Sequence, residues 1–198
     1  MMEFDFFDIQ KITEDQFLVD FLELPLNLQF EVNRYKKLKD RMLKLYGLLT
    51  IKKNLSRHIN FDWDHLMKNE FGKPFYLGAP NFNISHSGSI IVFVLSENEI
   101  GVDIELKKNI DVTLYLDFFD GAEKHFIKSS DNTQDSFYFM WTRKESFVKA
   151  LGVGLNDELL KISSLDKIIS YNNRMYSFKT HDFLEKYKLS ICKELPAN

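Results

Sequence analysis

Near the middle of the chain, two segments separated by a short polar turn restrict the fold more than any other feature. The first segment, residues 90–95, contains only Ile, Val, Phe and Leu. A short run of β-branched and aromatic residues is typical of a buried strand. Residues 96–99 are predicted to form a turn, and residues 100–106 a second strand that pairs with the first. The chain is therefore expected to build its core around a sheet.

Helical spacing of apolar residues appears on both sides of this central region. It covers residues 28–49 and again residues 135–151, with Gly152 as the stop signal of the second helix. The stretch 107–134 is predicted to be a loop with a short helix. Further strands are predicted at residues 3–9, 81–85, 159–162, 167–171, 175–179 and 187–192. The order strand, helix, strands thus occurs twice, which predicts an α+β protein of two similar halves, 1–104 and 105–198.

Composition excludes several classes of protein. The chain has 198 residues, of which 44% are hydrophobic and 28% charged, as in soluble globular proteins. The net charge of −3 argues against a nucleic-acid partner. No apolar run reaches the length of a membrane span, and the acidic start lacks the basic region of a secretory signal. The single Cys192 excludes an internal disulfide and a Cys-rich zinc site, so we expect a cytoplasmic protein. We also expect a monomer.

The charges are unevenly distributed along the first third of the chain. Residues 1–30 contain seven acidic residues and one basic residue, whereas residues 31–57 contain nine basic and two acidic residues. The basic stretch includes Arg41 and Lys44 on the predicted first helix. It is either a solvated helix face or a site for a small ligand that carries several phosphates.

Two acidic residues on the predicted strand 100–106 could form a metal site. Asp103 and Glu105 are two positions apart and therefore point to the same face of the strand. Neighbouring carboxylates repel each other, and a hard cation such as Mg²⁺ between them relieves the repulsion. An ordinary polar strand face explains the same spacing.

Other candidate residues are equally ambiguous when taken singly. Glu145 and Lys149 are four positions apart on the second helix, so they form either a surface ion pair or part of a site. Ser85 and His86 lack the surroundings of a hydrolase nucleophile, and the histidine could be purely structural. Lys73 lies in a Gly-Lys-Pro turn without the pattern of a phosphate-binding loop.

Taken together, three segments change this picture. Residues 81–88 read NFNISHSG, residues 101–105 read GVDIE, and residues 141–155 read WTRKESFVKALGVGL. In this order and at this approximate spacing they resemble the 4'-phosphopantetheinyl transferases, specifically the single-chain type that activates surfactin synthetase. The resemblance covers residues 71–155 and includes the Gly-Lys-Pro turn. It implies two halves related by a pseudo-twofold axis, each a small, mainly antiparallel sheet packed on a helix, with the active site between them.

The resemblance also implies a reaction and roles for individual residues. The phosphopantetheine arm of coenzyme A would move to a serine of an apo-acyl, peptidyl or aryl carrier protein, with Mg²⁺ as cofactor. A non-catalytic module that binds coenzyme A or a carrier, and a metal-dependent phosphohydrolase, are the alternatives. The implied metal ligands are Asp103, Glu105 and Glu145; the catalytic residues are Glu145 and Lys149; the residues that bind coenzyme A are Arg41, Lys73, Ser85, His86 and Lys149.

Overall fold

A three-stranded antiparallel sheet with a long helix on one face forms the N-terminal half of the protein. In the computed structural model, which describes residues 2–154 and 156–196, its strands are β1 (Met2–Asp8), β4 (Asn81–Ser87) and β5 (Ile90–Ser96), in the order β1-β5-β4. The helix α3 (Leu38–Leu55) packs on this sheet. Every residue of the central strand β5 is buried, as its apolar sequence predicts.

Smaller elements surround this layer. They are α1 (Glu14–Leu22), α2 (Leu26–Asn33), β2 (Leu66–Lys68) and β3 (Pro74–Tyr76). The single helix predicted over 28–49 is therefore two helices, α2 and α3. At the break between them, the Arg41 Nε donates to the Tyr35 carbonyl at 2.7 Å, so a side chain provides the bond that a continuous helix would have made with its backbone.

The C-terminal half repeats the same arrangement with one more strand. Its elements are β6 (Ile100–Leu106), α5 (Thr133–Leu151), β7 (Ile168–Tyr171), β8 (Arg174–Phe183) and β9 (Tyr187–Glu194). The strand order is β6-β9-β8-β7, so in each half the first strand pairs with the last strand of a hairpin. The α+β class and the two small antiparallel sheets, each packed on a helix, are confirmed.

Two further local predictions are wrong. Residues 90–95 and 100–106 do not pair with each other, because β5 lies between β1 and β4 while β6 pairs with β9. The strand predicted at 159–162 is replaced by the short helix α6 (Asp157–Leu160), which Asn156 caps by accepting a hydrogen bond from the Leu159 backbone N–H. A polar cap at the start of an apolar segment favours a helix over a strand.

The stretch 107–134 contains a 3-10 turn and the helix α4 (Gly121–Ser129), in line with the predicted loop and short helix. The division predicted between residues 104 and 105 falls inside β6, which pairs along its whole length with the C-terminal sheet. By sheet membership, the change from one half to the other lies in the turn 97–99. As a division into domains, the boundary stays a prediction.

The two halves meet along β4 and β6, and side chains of β4 complete the contact. The Asn83 Oδ1 accepts a hydrogen bond from the Val102 backbone N–H at 2.9 Å, and the Ser87 Oγ accepts one from Leu106 at 3.0 Å. On the other side of β6, a Cβ at Gly101 would lie 2.1 Å from the Ser146 carbonyl oxygen of α5. We call the contact of β4 with β6 the seam; α5 lies directly against its β6 side.

No helix in the described residues is both long and apolar enough to span a bilayer.

Candidate active site

Three side chains from three different elements converge at the seam. The Lys149 Nζ of α5 lies 2.5 Å from the Asp103 Oδ1 of β6 and 3.0 Å from the Ser85 Oγ of β4. The Ser85 hydroxyl in turn donates to the Asp103 Oδ1 at 3.1 Å. The close packing of α5 on Gly101 brings Lys149 within reach of the strand. A surface ion pair between Glu145 and Lys149 is therefore not the arrangement that the structure shows.

One carboxylate oxygen at this point has no partner. Asp103 is only 3% exposed, and among the described residues its Oδ2 accepts no hydrogen bond, while its Oδ1 is shared by Lys149 and Ser85. A buried carboxylate oxygen without a partner is costly, and such atoms in a folded protein call for an explanation. A bound cation or ligand donor would supply the missing contact.

Two more carboxylates increase the negative charge around Asp103. Burial raises the pKa of Glu105, and the charge of Asp103 raises it further, although the Ser87 hydroxyl donates to the Glu105 Oε2 at 2.9 Å. Burial likewise raises the pKa of Glu145; Lys149 opposes this effect and Asp103 adds to it. One lysine thus faces three carboxylates, so the site has an excess of negative charge that a divalent cation could balance.

Lys149 and His86 respond to this environment in opposite directions. Burial acts to lower the pKa of Lys149, but the charge and hydrogen bond of Asp103, together with the charges of Glu145 and Glu105, outweigh it and the pKa is raised. The lysine is therefore positively charged at neutral pH. Burial lowers the pKa of His86, and the positive charge of Lys149 lowers it further, so this imidazole is neutral at the same pH.

The carboxylates of the seam fit a metal ion whose remaining ligands come from a bound substrate and water. Within residues 2–154 and 156–196, no group of three or more His, Cys, Asp or Glu side chains is close enough to hold a metal ion alone. Mg²⁺ is usually bound by one or two carboxylates together with phosphate oxygens and water. The buried Asp103 Oδ2 and the excess of negative charge suit that incomplete, oxygen-only set.

A cavity of about 310 Å³ opens beside the seam, and His86 contributes to its wall. Apolar side chains of α3, β2 and β4 form much of the lining, with Gly72 and Pro74 at one side. Lys44 and Lys68 also line it, and the two ammonium groups lie 2.7 and 2.8 Å from the same carboxylate oxygen, Glu31 Oε2. The cavity therefore combines an apolar wall with two lysines and two acidic residues, Glu31 and Asp40, and carries no excess negative charge, unlike the neighbouring seam.

Known proteins resemble this chain over most of its length. Residues 99–192 match the family described as the 4'-phosphopantetheinyl transferase superfamily. The 4'-phosphopantetheinyl transferase gsp of Aneurinibacillus migulanus is 34% identical over 169 residues, which cover 80% of this chain and 71% of that protein. The chain belongs to this superfamily. The 4'-phosphopantetheinyl transferase Sfp of Bacillus subtilis (strain 168) is 30% identical over 176 residues, covering 82% of this chain and 79% of that one.

The structure of this transferase brings together most, but not all, of the residues that the sequence singled out. Asp103, Ser85 and Lys149 are in direct contact, and Glu105 and Glu145 affect the same charges. Two predicted ligands of coenzyme A lie elsewhere. Arg41 is bound to the Tyr35 carbonyl, and the Lys73 Nζ lies 3.0 Å from the Ala150 carbonyl oxygen at the end of α5. Neither is among the residues that line the cavity.

Sequence reasoning missed several polar residues of the transferase's site. Lys44 was part of the basic stretch, but Glu31 and Lys68 carried no motif, and 37 positions separate them. Ser87 lies inside the NFNISHSG segment, yet its hydrogen bond to Glu105 depends on the contact of β4 with β6, which belong to different sheets. Lys44 lies among apolar residues of α3 that line the cavity. A search of the basic stretch for a lysine among apolar helix positions could have found it.

Proposed function

We propose that this transferase moves the 4'-phosphopantetheine group of coenzyme A to a serine hydroxyl of an apo-carrier protein and releases adenosine 3',5'-bisphosphate. The observation that carries the proposal is the contact of Asp103, Ser85 and Lys149 at the seam, with the Asp103 Oδ2 left without a partner. A pyrophosphate with its metal ion supplies both the anion that Lys149 can bind and the cation that Asp103 lacks. The carrier, whether acyl, peptidyl or aryl, is the second substrate.

The cavity provides room for the nucleotide end of coenzyme A. Its apolar wall suits a purine base, and Lys44 and Lys68 suit a phosphate group at its margin. His86 lies between cavity and seam, so the nucleotide and the pyrophosphate can bind side by side. Lys149 and the Ser85 hydroxyl then contact pyrophosphate oxygens in place of part of their present hydrogen bonds to each other.

The three carboxylates Asp103, Glu105 and Glu145 would hold Mg²⁺ together with phosphate oxygens. When bound, the metal neutralises charge on the phosphate groups and so stabilises the leaving bisphosphate. Lys149 contributes a second positive charge at the same place. Removal of the metal is therefore expected to weaken coenzyme A binding as well as turnover.

Glu145 is suited to accept the proton of the carrier serine. Burial raises its pKa, and a carboxylate with a raised pKa is a stronger base at neutral pH. As the serine oxygen bonds to the phosphorus that bears the pantetheine arm, its proton passes to Glu145. The bond from that phosphorus to the bridging oxygen breaks, and the bisphosphate leaves with the electron pair. A monomeric, cytoplasmic enzyme remains the prediction from the sequence.

Intact-mass analysis of carrier proteins tests the proposal. A panel of apo-carriers is incubated with coenzyme A, Mg²⁺ and either the parent or Glu145→Gln, with the exposed Glu23→Gln as the control. The parent and the control should add the phosphopantetheine mass to at least one carrier. Glu145→Gln should lower single-turnover transfer by at least about a hundredfold, because general-base loss costs about 10² to 10⁴ in rate.

Three outcomes contradict the proposal. Coenzyme A binding without any mass gain on a carrier indicates a binding module. Cleavage of coenzyme A in the absence of a carrier indicates a phosphohydrolase. Transfer by Glu145→Gln within about threefold of the parent removes Glu145 from the mechanism, because a lost general base costs far more than that.

A further inference from the structure

The turn between β2 and β3, residues 69–73, reaches across from the N-terminal half to the end of α5. The Asn69 Nδ2 donates to the Gly152 carbonyl at 2.6 Å. The Oδ1 of the same side chain accepts hydrogen bonds from the backbone N–H groups of Phe71 and Lys73, at 3.0 and 2.9 Å. One amide group thus fixes the shape of the turn and binds the turn to the helix end.

The ammonium group of Lys73 faces three oxygen atoms of the protein. They are the Ala150 carbonyl at 3.0 Å, Glu99 Oε2 at 3.4 Å and the Ile100 carbonyl at 3.5 Å. An ammonium group has three N–H donors, so these contacts can use all of them. The side chain is only 15% exposed. A positive charge at this end of α5 is also favoured by the helix dipole.

The contact between the turn and the helix end is close as well as polar. Gly152 adopts a φ of +70°, and a Cβ at this position would lie 3.1 Å from the Lys73 Cδ and 3.3 Å from the Asn69 Nδ2. Lys149 lies in the same last turn of α5, and its Nζ contacts Asp103 and Ser85. Movement of this helix turn would therefore move the lysine that faces the seam.

We propose that Asn69 and Lys73 are positioning residues, which hold the last turn of α5 so that Lys149 meets Asp103 and the pyrophosphate. This inference rests on the proposed function. It gives Lys73 a role different from the direct contact with the nucleotide that the family resemblance implies. Lys73 acts through the Ala150 carbonyl, and its three contacts with protein oxygens can occupy all the donors of its ammonium group.

Steady-state kinetics and binding separate the two roles of Lys73. The variants are Lys73→Met and Asn69→Ala, with the exposed Lys11→Met as a control for loss of a positive charge. Affinities for coenzyme A and for 3'-dephospho-coenzyme A are measured by titration calorimetry. Both test variants should lower kcat by about tenfold, with KM for coenzyme A within about threefold of the parent, because the charge of Lys149 contributes most where negative charge builds up on the leaving bisphosphate. The ratio of the two affinities should stay unchanged.

Two results would overturn the proposal. If Lys73→Met weakens binding of coenzyme A about tenfold but spares 3'-dephospho-coenzyme A, while Asn69→Ala behaves as the parent, then Lys73 is a phosphate ligand. If both variants unfold at a lower temperature yet keep the parent kcat, the contact is structural only. Lys73→Met retains the aliphatic stem, so it remains a test even if Asn69→Ala does not fold.

Hydrogen exchange on the ligand-free protein tests the contact without any assumption about the reaction. The backbone amides of residues 148–152 should exchange at least about tenfold faster in both variants, because the end of α5 opens locally. Exchange in the buried strand β5 should not change. Unaltered exchange at 148–152 would refute the positioning role. An inactive parent would refute the proposed function, and the exchange result would still decide whether the turn holds the helix.

Discussion

Two lysines of α5 each form an ion pair with a carboxylate of another element. The two pairs differ in how many of their polar atoms have a hydrogen-bond partner. Lys144 pairs with Glu123 of α4 at 2.8 Å, and Lys149 pairs with Asp103 of β6 at 2.5 Å. Both carboxylates are buried. The first pair lies among the helices of the C-terminal half, and the second lies at the seam.

Every oxygen of Glu123 has a partner. Its Oε1 accepts hydrogen bonds from the backbone N–H and the hydroxyl of Ser164, both at 2.8 Å, and its Oε2 binds Lys144 and the Asp120 backbone N–H. The Lys144 Nζ also donates to the carbonyls of Leu160 and Ile162. The pair therefore joins α4, α5 and the segment that follows α6.

The pair of Asp103 with Lys149 has fewer hydrogen-bond partners. One oxygen is unpartnered, and two neighbouring carboxylates, Glu105 and Glu145, have raised pKa values because they are buried and close to Asp103. A closed set of hydrogen bonds serves the fold, whereas an open set with excess charge is suited to a ligand. The carboxylates are equally buried, but the pairs differ in the count of partners and in access, because the Lys149 side chain is 30% exposed and that of Lys144 only 2%.

The largest effect on stability is expected when the closed pair is broken. Glu123→Gln leaves the Lys144 ammonium buried without an opposite charge, and such a change costs about 3 to 5 kcal/mol of unfolding free energy. Urea denaturation measures the loss, with Glu23→Gln as the exposed control. A loss no larger than that of the control would mean that the pair contributes little, and the contrast between the two pairs would fail.

The matched change at the open pair should act on activity instead. Asp103→Asn removes the ion-pair partner of Lys149, but this lysine is 30% exposed and keeps the nearby charges of Glu105 and Glu145, which in turn lose the repulsion of Asp103. The unfolding free energy should therefore stay within about 1 kcal/mol of the parent. Turnover at millimolar Mg²⁺ should fall by at least about a hundredfold, because a metal ligand is lost. Transfer kinetics across a Mg²⁺ titration give the result. Normal turnover at low Mg²⁺ would reduce Asp103 and Glu105 to an ordinary polar strand face.

The sequence predicted the members of the open pair but not their arrangement. Ser85, Asp103 and Lys149 were each singled out, although 18 and 46 positions separate Asp103 from the other two. Their contact depends on β4 lying beside β6, and the wrong hairpin prediction for β5 and β6 hid that neighbourhood. Long-range pairing of strands depends on the packing of the whole chain, and local periodicity does not encode it.

The closed pair was not predicted at all. Glu123 lies in the stretch 107–134, where the polar sequence indicated a loop with a short helix, and Lys144 was noted only as part of a motif. A buried Glu and a buried Lys look like surface residues in a sequence, because both are rarely buried unless paired. Most of their partners are backbone groups of residues 160–164, which overlap the strand wrongly predicted at 159–162.

The excess negative charge at the seam predicts that the stability of the ligand-free protein depends on pH. The change in unfolding free energy should be smaller than that expected for Glu123→Gln. Burial, together with the charge of Asp103, raises the pKa of Glu105, and burial raises that of Glu145 against the opposing charge of Lys149. A carboxyl with a raised pKa stabilises the fold below its unfolded pKa, and this contribution is lost as the pH rises through the folded pKa. In the absence of Mg²⁺, stability should therefore decline as the pH rises above about 4.5, the ordinary value for both groups.

Glu105→Gln and Glu145→Gln each remove one of these charges. Thermal unfolding at pH 7 in a chelator should show both variants more stable than the parent, by about 0.5 to 2 kcal/mol, the usual gain from relieving a functional strain. Added Mg²⁺ with coenzyme A should reverse the order, since only the parent binds them fully. Variants that are less stable than the parent in the chelator would show that these carboxylates are already balanced.

The smallest effects are expected at a third lysine–carboxylate group, in the cavity. Burial acts to raise the pKa of Glu31, but the hydrogen bonds from Lys44 and Lys68 outweigh it and the pKa is lowered. This group is partly exposed, and its one extra positive charge is balanced by Asp40, which also lines the cavity, whereas the seam has an excess of negative charge. Glu31 therefore competes with any phosphate for the two lysines. Lys44→Met should weaken coenzyme A binding by about 1 kcal/mol, close to fivefold, whereas Glu31→Gln should strengthen it.

Arg41→Ala is the matched comparison on the same helix. Arg41 is bound to the Tyr35 carbonyl at the start of α3 and lies outside the cavity lining, so the geometry predicts a smaller loss of affinity than for Lys44→Met. Calorimetry at two salt concentrations measures all three variants, because the effect of a charge at a half-exposed site weakens as salt screens it. A larger loss for Arg41→Ala, with no gain for Glu31→Gln, would restore the assignment implied by the family resemblance. The two lysines of the cavity would then have no part in binding, and the contrast between cavity and seam would be one of structure alone.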